Sequence, residues 1–227
     1  FGRISAAKNN LISPEGYRQN TEIISEDNQS GRPRVSEIYA QYALRCFKAG
    51  AMDFDDLLYK TNILLRDFPE VLHQYQHKFR YILVDEYQDT NFAQYLIVKQ
   101  LSAMHENLCV VGDDAQSIYA FRGANIQNIL NFRQDYPDYA LYKLEQNYRS
   151  TKTIVEAANS VIEKNKDQIK KIVWTNNDDG NKIKVHRSMS DNDEGYFVAN
   201  EMFDIHNSEK AHWDDFAILY RTNAQSR

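Results

Sequence analysis

The sequence has few cysteines and no long apolar segment, and each shortage argues against a class of protein. Only two of the 227 residues are cysteines, Cys46 and Cys109, and their spacing matches no metal-binding motif. A disulfide-stapled secreted scaffold and a zinc cluster are therefore disfavoured, and apolar neighbours predict two buried thiols in a reducing compartment. The longest apolar runs have only the length of a strand, so the sequence shows neither a signal peptide nor a membrane span.

The chain also lacks an excess of basic residues. Lys and Arg number 27 against 32 Asp and Glu, which gives a formal net charge of −5. This balance disfavours a protein that coats DNA through its overall charge, but it leaves open a narrow channel in which local charge decides binding. With 42% apolar residues the chain can bury a core, and its length corresponds to one or two domains.

The most informative segment that is present is an apolar run ending in acids, YILVDEYQDT at residues 81–90. The run predicts a strand, and Asp85 and Glu86 follow it directly. In nucleotide hydrolases an acid at such a strand end holds Mg²⁺, and a neighbouring acid can activate water. Acids after a strand also begin a helix well, and Asp89 or Thr90 is placed to cap the next one. Taken alone, the segment supports both interpretations.

A second predicted strand ends in a glycine and two acids, within LCVVGDDAQSIYAFRGA at residues 108–124. Gln116 supplies an uncharged donor and acceptor, which suits a group that responds to the γ-phosphate of a nucleotide. Tyr119, Phe121 and Arg122 follow on a turn, and aromatic rings beside an arginine are typical of single-strand binding. Core aromatics with an arginine paired to an acid are an equally good interpretation of this stretch alone.

Two later segments also join a predicted strand to a polar turn. LYKLEQNYRS places Tyr148 and Arg149 where a ring can stack on a purine and an arginine can bind a phosphate. A solvated arginine is the competing interpretation. FAILYRTNAQSR predicts a strand followed by Arg221 and Asn223.

Helical and strand patterns alternate from about residue 51 onward, which predicts an α/β fold with parallel sheets. Residues 1–50 are polar and mostly helical, with a loop near 28–34. Beyond the two strands already described, the sequence predicts strands near Leu141, at 183–185 and at 216–220.

Four of these segments, residues 85–90, 112–124, 146–150 and 220–227, resemble consecutive motifs of the UvrD/PcrA/Rep group of superfamily 1 DNA helicases. Residues 54–58 (FDDLL) resemble a further motif that precedes them in that family. The resemblance implies P-loop NTPase motor domains of the RecA-like type. It also implies ATP and Mg²⁺ as cofactors, and single-stranded DNA and single-strand/double-strand DNA junctions as partners.

By the same resemblance, residues 1–50 correspond to the C-terminal part of a helical insert, residues 51–140 to part of a first motor domain and residues 141–227 to the start of a second. The implied function is ATP-dependent movement along single-stranded DNA, in the 3′ to 5′ direction, with duplex unwinding in DNA repair or replication. A bacterial cytoplasm is the usual setting of the family.

The resemblance also implies roles for individual residues. Asp85 would coordinate Mg²⁺, Glu86 would activate the attacking water, and Gln116 would connect the γ-phosphate to the DNA-contacting turn. Tyr148 would stack on adenine, and Arg149 would act as an arginine finger. The implied DNA contacts are Phe54, Tyr119, Phe121, Arg122, Arg221 and Asn223.

The phosphate-binding loop of the family, G-x-x-x-x-G-K-[ST], is missing, since none of the eight glycines is followed by Lys. The sequence is therefore interpreted as an internal fragment of a larger helicase, and these residues alone are expected to be inactive in ATP hydrolysis. A strand edge or apolar face left bare is expected to promote self-association. The alternative function is a non-hydrolysing helicase-like module that binds DNA or protein.

Overall fold

The computed structural model describes residues 2–117, 125–165, 168–220 and 222. The chain folds as two compact units. Unit 1 comprises Phe1–Gln146 and Ala158–Val173, and unit 2 comprises Asn147–Ala157 and Trp174–Arg227. Within the described residues, no helix has both the length and the apolar character that crossing a membrane requires.

Four helices form the N-terminal part of unit 1: α1 (Gly2–Asn9), α2 (Pro14–Gln19), α3 (Thr21–Gln29) and α4 (Val35–Lys48). Their buried core consists of Ile4, Ala7, Tyr17 and Tyr39, each at most 6% exposed. The Tyr17 and Tyr39 rings meet edge to face, with 5.8 Å between centroids. The predicted helical segment with a loop near 28–34 is confirmed, because that loop separates α3 from α4.

Helices and strands alternate in the next part of unit 1. Helices α5 (Phe54–Asp67) and α6 (Pro69–Lys78) precede β1 (Ile82–Val84), and α7 (Phe92–Ser102) precedes β2 (Leu108–Val110). The short helices α8 (Gln127–Leu130) and α9 (Phe132–Asp135) follow. β1 and β2 pair in parallel, with Ile82 opposite Leu108. The predicted parallel sheet of an α/β arrangement is confirmed for these two strands.

Both α5 and α7 begin at a capping box. Asp53 forms the box at α5, and Asn91 forms it at α7. A capping box satisfies two backbone donors and so defines where a helix begins. The helix predicted after the acidic pair is confirmed, but its cap is Asn91 rather than Asp89 or Thr90. Thr90 instead uses its hydroxyl to donate to the Tyr87 carbonyl at 2.7 Å.

Three further predicted strands are not formed: those near Leu141, at 183–185 and at 216–220. No second sheet occurs in the part of the chain that the structure describes. A strand is stable only when a neighbouring strand satisfies its backbone donors and acceptors. Here Val185 and Leu219 are each 93% exposed. The prediction of more than one parallel sheet is therefore wrong for the described residues.

One face of the two-stranded sheet is open to solvent. Leu83 and Cys109 lie opposite each other in the register, and both are exposed, Leu83 to 77%. The prediction of two buried thiols is wrong for Cys109, because an apolar run is buried only where another element covers the strand. Cys46, on α4, is half-buried.

Two helices organise the chain after residue 150. The residues of α10 (Lys152–Ile162) are divided between the two units. Its first two N–H groups donate to the carbonyl oxygens of Asp178 and Asp179. The longer helix α11 (Asp191–Glu209) begins at Ser190, whose hydroxyl accepts a hydrogen bond from the first turn.

Candidate active site

The ends of the paired strands place the acidic pair, Asp85 and Glu86, beside the turn that follows β2. Backbone pairing continues past both strands: Val111 N–H donates to the Val84 carbonyl at 2.8 Å. The Val111 carbonyl in turn accepts from Tyr87 N–H at 2.9 Å. The two segments that the sequence predicts to contact a nucleotide therefore meet at one edge of the sheet.

Glu86 adopts a left-handed backbone conformation, with φ 50° and ψ 40°. A residue with a Cβ is strained there by about 1–3 kcal/mol, and such strain persists only where the surrounding contacts impose it. The chain turns sharply at this point, since Glu86 N–H donates to Asp85 Oδ1 at 2.9 Å and Asp89 N–H donates to the Glu86 carbonyl at 2.9 Å. The exposed Glu106 has the same φ of 50°, so the strain alone does not identify a functional residue. What distinguishes Glu86 is its position at the end of β1, directly after Asp85.

Gln88 connects the two strand ends. Its side chain is buried, with 1% of the residue exposed. Nε2 donates to Glu86 Oε2 at 2.8 Å, and Oε1 accepts from Asp113 N–H at 3.0 Å. A carboxamide can donate and accept at the same time, so one neutral side chain holds both the carboxylate and the turn. The sequence gives no signal for this role beyond the position of Gln88 inside residues 85–90.

Asp113 holds Gln116 next to this connection. Its carboxylate accepts from Gln116 Nε2 at 2.8 Å and from Lys171 Nζ at 2.5 Å. The neighbouring Asp114, 7% exposed, accepts from Ile169 N–H at 2.8 Å. Burial alone would raise the pKa of Asp113, but the hydrogen bonds from Lys171 and Gln116 outweigh it and lower that pKa below its usual value. Lys171 is a second contributor that the sequence pattern does not reveal.

Asp89 carries an unsatisfied oxygen next to the acidic pair. Its Oδ1 is buried and has no hydrogen-bond partner among the described residues. Burial, and then the negative charge of Glu86, raise the pKa of Asp89. The next residue is fixed, because Asn128 Nδ2 donates to both oxygen atoms of Thr90, at 3.0 and 3.1 Å. A buried carboxylate oxygen without a partner suits a site that receives a cation or a donor from a ligand.

A magnesium ion fits this strand end only together with a ligand. Within the described residues, no group of three or more His, Cys, Asp or Glu side chains is arranged to hold a metal ion. Nucleotide sites bind Mg²⁺ through one or two carboxylates, water and the substrate phosphates, rather than through a protein cage. The exposed Asp85 carboxylate and the unsatisfied Asp89 oxygen match that sparse pattern.

The turn that carries Tyr148 and Arg149 belongs to unit 2. Asn147 Oδ1 accepts from the N–H groups of Arg149 and Ser150, at 2.9 and 2.7 Å. Asn177 Nδ2 donates to the carbonyls of Tyr148 and Ser150, at 3.3 and 3.0 Å. Both predicted side chains are exposed, Tyr148 to 79%. The turn is thus held through its backbone, and the Arg149 side chain faces solvent.

Of the six predicted DNA contacts, Phe54 lies among the described residues. It is the first residue of α5 and is 91% exposed. An exposed ring on a helix start that is fixed by a capping box is available to stack on a base. The other five lie outside the described residues: Tyr119, Phe121, Arg122, Arg221 and Asn223.

Gly112 is required because Gln88 approaches its backbone closely. A Cβ at this position would lie 2.6 Å from Gln88 Oε1 and 2.9 Å from Ile129 Cδ1. We expect Gly112→Ala to lower the free energy of unfolding by about 1–3 kcal/mol, because both neighbouring side chains would have to move and Gln88 is buried and hydrogen-bonded on both sides. We also expect it to displace Gln88 from Glu86. Denaturant unfolding measures the first effect, and nucleotide turnover by the full-length protein measures the second.

Gly195→Ala is the matched control for this substitution. Gly195 lies inside α11, and a Cβ there would have no atom within 4 Å. Because Ala is a better helix former than Gly, this variant is expected to be neutral or stabilised by up to about 1 kcal/mol. An unchanged unfolding free energy in Gly112→Ala would contradict the close packing of Gln88.

The chain is similar to known proteins along its whole length. It is similar to the ATP-dependent DNA helicase PcrA of Bacillus subtilis (strain 168), with 50% identity over 227 residues. The proteins of the same name from Staphylococcus aureus and Leuconostoc citreum are 48% identical over 228 residues and 44% identical over 227 residues. Each comparison covers 100% of this chain and 30% of the relative, so the chain spans about a third of the length of these proteins.

Two family models cover nearly all of the sequence. The UvrD/REP helicase N-terminal domain matches residues 2–137, and the UvrD-like helicase C-terminal domain matches residues 142–227. The first match alone includes more than half of the 227 residues. The chain therefore belongs to the UvrD/REP helicase family.

Proposed function

We propose that this chain forms part of the motor of an ATP-dependent DNA helicase. The observation that carries the proposal is the position of Glu86 at the end of β1, where Gln88 holds its carboxylate and also binds the Asp113 turn. Here an acid is fixed at the end of a parallel strand and is connected to the next strand. This arrangement is expected of a group that activates the water attacking a bound nucleotide. The names of the similar PcrA proteins, ATP-dependent DNA helicases, support the same function.

At the nucleotide, each residue has a distinct task. Asp85 holds Mg²⁺, which when bound neutralises charge on the phosphate oxygens. Glu86 orients the attacking water and accepts its proton. Gln116 responds to the γ-phosphate and connects it to the DNA-contacting turn that follows. Tyr148 stacks on the adenine ring, and Arg149 binds developing charge on the transferred phosphate as an arginine finger.

On the DNA side, we propose stacking and phosphate contacts along a single strand. Phe54, exposed on α5, stacks on a base. The remaining proposed contacts are Tyr119, Phe121, Arg122, Arg221 and Asn223. Movement is proposed to run 3′ to 5′, and the partners to be single-stranded DNA and its junctions with duplex.

The proposed division is a helical insert up to residue 50, a RecA-like motor domain over 51–140 and a second RecA-like domain from 141. The separate family matches to residues 2–137 and 142–227 support a boundary near 140. The proposed setting is the bacterial cytoplasm, where DNA and ATP are both present. Self-association of these 227 residues alone stays a prediction, supported by the open face at Leu83.

The experiment that tests this function compares ATP turnover by the full-length protein with and without single-stranded DNA, alongside direct binding of a fluorescent oligonucleotide. We expect binding together with DNA-stimulated turnover. DNA binding without any stimulated turnover would instead favour the alternative, a non-hydrolysing helicase-like module. Repeating the assay on residues 1–227 alone tests whether these residues can hydrolyse ATP without a phosphate-binding loop. They are expected to hydrolyse no ATP above the blank.

A further inference from the structure

A buried cation joins α1 to the first turn of α5. Lys8 is 2% exposed, and its Nζ lies 2.8 Å from Asp53 Oδ2 and 2.9 Å from Asp56 Oδ1. The same Asp53 oxygen accepts from Tyr42 Oη at 2.7 Å. A charge is tolerated at such depth only when it is paired and hydrogen-bonded, so this cluster fixes the α5 capping box.

The next residue, Asn9, extends this connection to α7. Asn9 Nδ2 donates to Asp55 Oδ1 at 3.0 Å, and Asn9 Oδ1 accepts from Asn91 Nδ2 at 2.9 Å. Asp55 belongs to the first turn of α5, beside Phe54, and Asn91 is the cap of α7. One side chain thus holds two helix starts whose caps lie 38 positions apart in the sequence (Asp53 and Asn91).

One of these helix starts follows the proposed nucleotide site, and the other carries the proposed DNA contact. The α7 cap follows directly after the segment of the acidic pair, and Thr90 before it is held rigidly by Asn128. The α5 start carries Phe54, which is 91% exposed. A side chain that makes one hydrogen bond to each helix start transmits a shift of either one to the other, because packed helices move as rigid elements.

We propose that Asn9 is a positioning residue that couples the Phe54 turn of α5 to the segment following the acidic pair, and thereby sets the affinity for single-stranded DNA. This inference rests on the proposed function, in which Phe54 stacks on a base. Lys8 and its two carboxylates provide the rigid support, and Asn9 provides the connection. Asn9 itself touches neither DNA nor nucleotide in this proposal.

Asn9→Ala tests the coupling, and Asn10→Ala is its matched control. Asn10 is exposed, and its side chain donates to the Ala6 carbonyl within the same helix end. In the full-length protein, Asn9→Ala is expected to raise the single-stranded DNA concentration for half-maximal ATPase stimulation about 3- to 10-fold, the range of one or two lost hydrogen bonds. The maximal rate is expected to stay within about twofold. Asn10→Ala is expected to leave both quantities unchanged.

A double-mutant cycle with Phe54→Ala separates positioning from general loss of stability. Phe54→Ala alone is expected to weaken single-stranded DNA binding about 5- to 150-fold. In the Phe54→Ala background, Asn9→Ala is expected to have no further effect, because its action passes through the missing ring. A structural role would instead leave the two effects additive and would appear in thermal melting.

Each outcome of the double-mutant cycle either supports or overturns the coupling through Asn9. The coupling is overturned if the two effects are additive, or if Asn9→Ala needs the same DNA concentration as wild type for half-maximal ATPase stimulation. In either case, DNA-stimulated turnover of the unchanged protein preserves the proposed function. An unchanged DNA affinity in Phe54→Ala overturns the coupling and the proposed stacking of Phe54, while DNA-stimulated turnover preserves the rest of the proposed function. If the unchanged protein neither binds single-stranded DNA nor shows stimulated turnover, the proposed function fails, and the coupling fails with it.

Discussion

The Glu86→Gln variant of the full-length protein is expected to hydrolyse ATP at least about 10²-fold more slowly than the unchanged protein, while binding ATP equally well. Gln has the shape of Glu and still offers an oxygen to Gln88 Nε2, which lies 2.8 Å from Glu86 Oε2. It carries no charge and accepts no proton from water at neutral pH, so the chemical step is lost and the binding surface is kept. Steady-state turnover with single-stranded DNA, together with equilibrium nucleotide binding, measures the two effects separately.

Glu106 supplies a matched control for that substitution. It is also an exposed glutamate in a left-handed conformation, with φ 50°, but it precedes β2 instead of following β1. Glu106→Gln is therefore expected to leave turnover unchanged. If Glu86→Gln keeps more than about a tenth of the wild-type rate, Glu86 is not the base. If it loses ATP binding as well, the substitution has disturbed the strand end instead of the chemical step.

The location of the acidic pair is predictable from the sequence because its signal is local. An apolar run followed at once by Asp85 and Glu86 identifies both the strand and the acids at its end. Parallel pairing with β2 also follows, because a helical pattern lies between the two strand patterns. The left-handed conformation of Glu86 has no comparable signal, since such positions are normally occupied by Gly or Asn.

The connecting side chains are not predictable because their partners are distant in the sequence. Gln88 binds the Asp113 backbone 25 positions away, and Lys171 binds the Asp113 carboxylate 58 positions away. Hydrogen bonds between distant polar groups leave no periodic pattern. The same dependence on distant partners explains why residues 183–185 and the apolar run at 216–220 form no strands, although both have strand composition. Strand composition describes a side chain's fit to a sheet, and the sheet itself depends on a partner strand.

The connection from Glu86 through Gln88 to Asp113 gives the proposed role of Gln116 a physical route. Gln116 shares the Asp113 carboxylate with Lys171, and the Asp113 N–H is bound by Gln88. Any ligand that draws Gln116 away from Asp113 therefore changes the hydrogen bonding of the Asp113 side chain, and the N–H of the same residue donates to Gln88, which holds Glu86. In this arrangement the acid and the responding amide are neighbours in one network, although 30 positions of sequence separate Glu86 from Gln116.

Arg149→Ala is expected to reduce ATP turnover by the full-length protein about 10³-fold or more, the effect of removing an arginine finger. The guanidinium binds phosphate oxygens with two parallel donors and never loses its charge, so no neighbouring group replaces it. Folding is expected to be unaffected. Asn147 and Asn177 hold this turn through backbone groups, and the Arg149 side chain is exposed.

Two companion variants define what the Arg149 result means. Arg187 is an exposed arginine of the same unit, and Arg187→Ala is expected to keep wild-type turnover and melting temperature. Arg149→Lys keeps the charge but loses the planar pair of donors, so its rate is expected to fall between those of Arg149→Ala and the unchanged protein. Turnover under saturating ATP and DNA, with thermal unfolding of each variant, distinguishes a lost catalytic group from a damaged fold. A near-normal rate in Arg149→Ala, with unchanged melting, would reduce Arg149 to a solvated surface residue, which is the interpretation that its exposure alone supports.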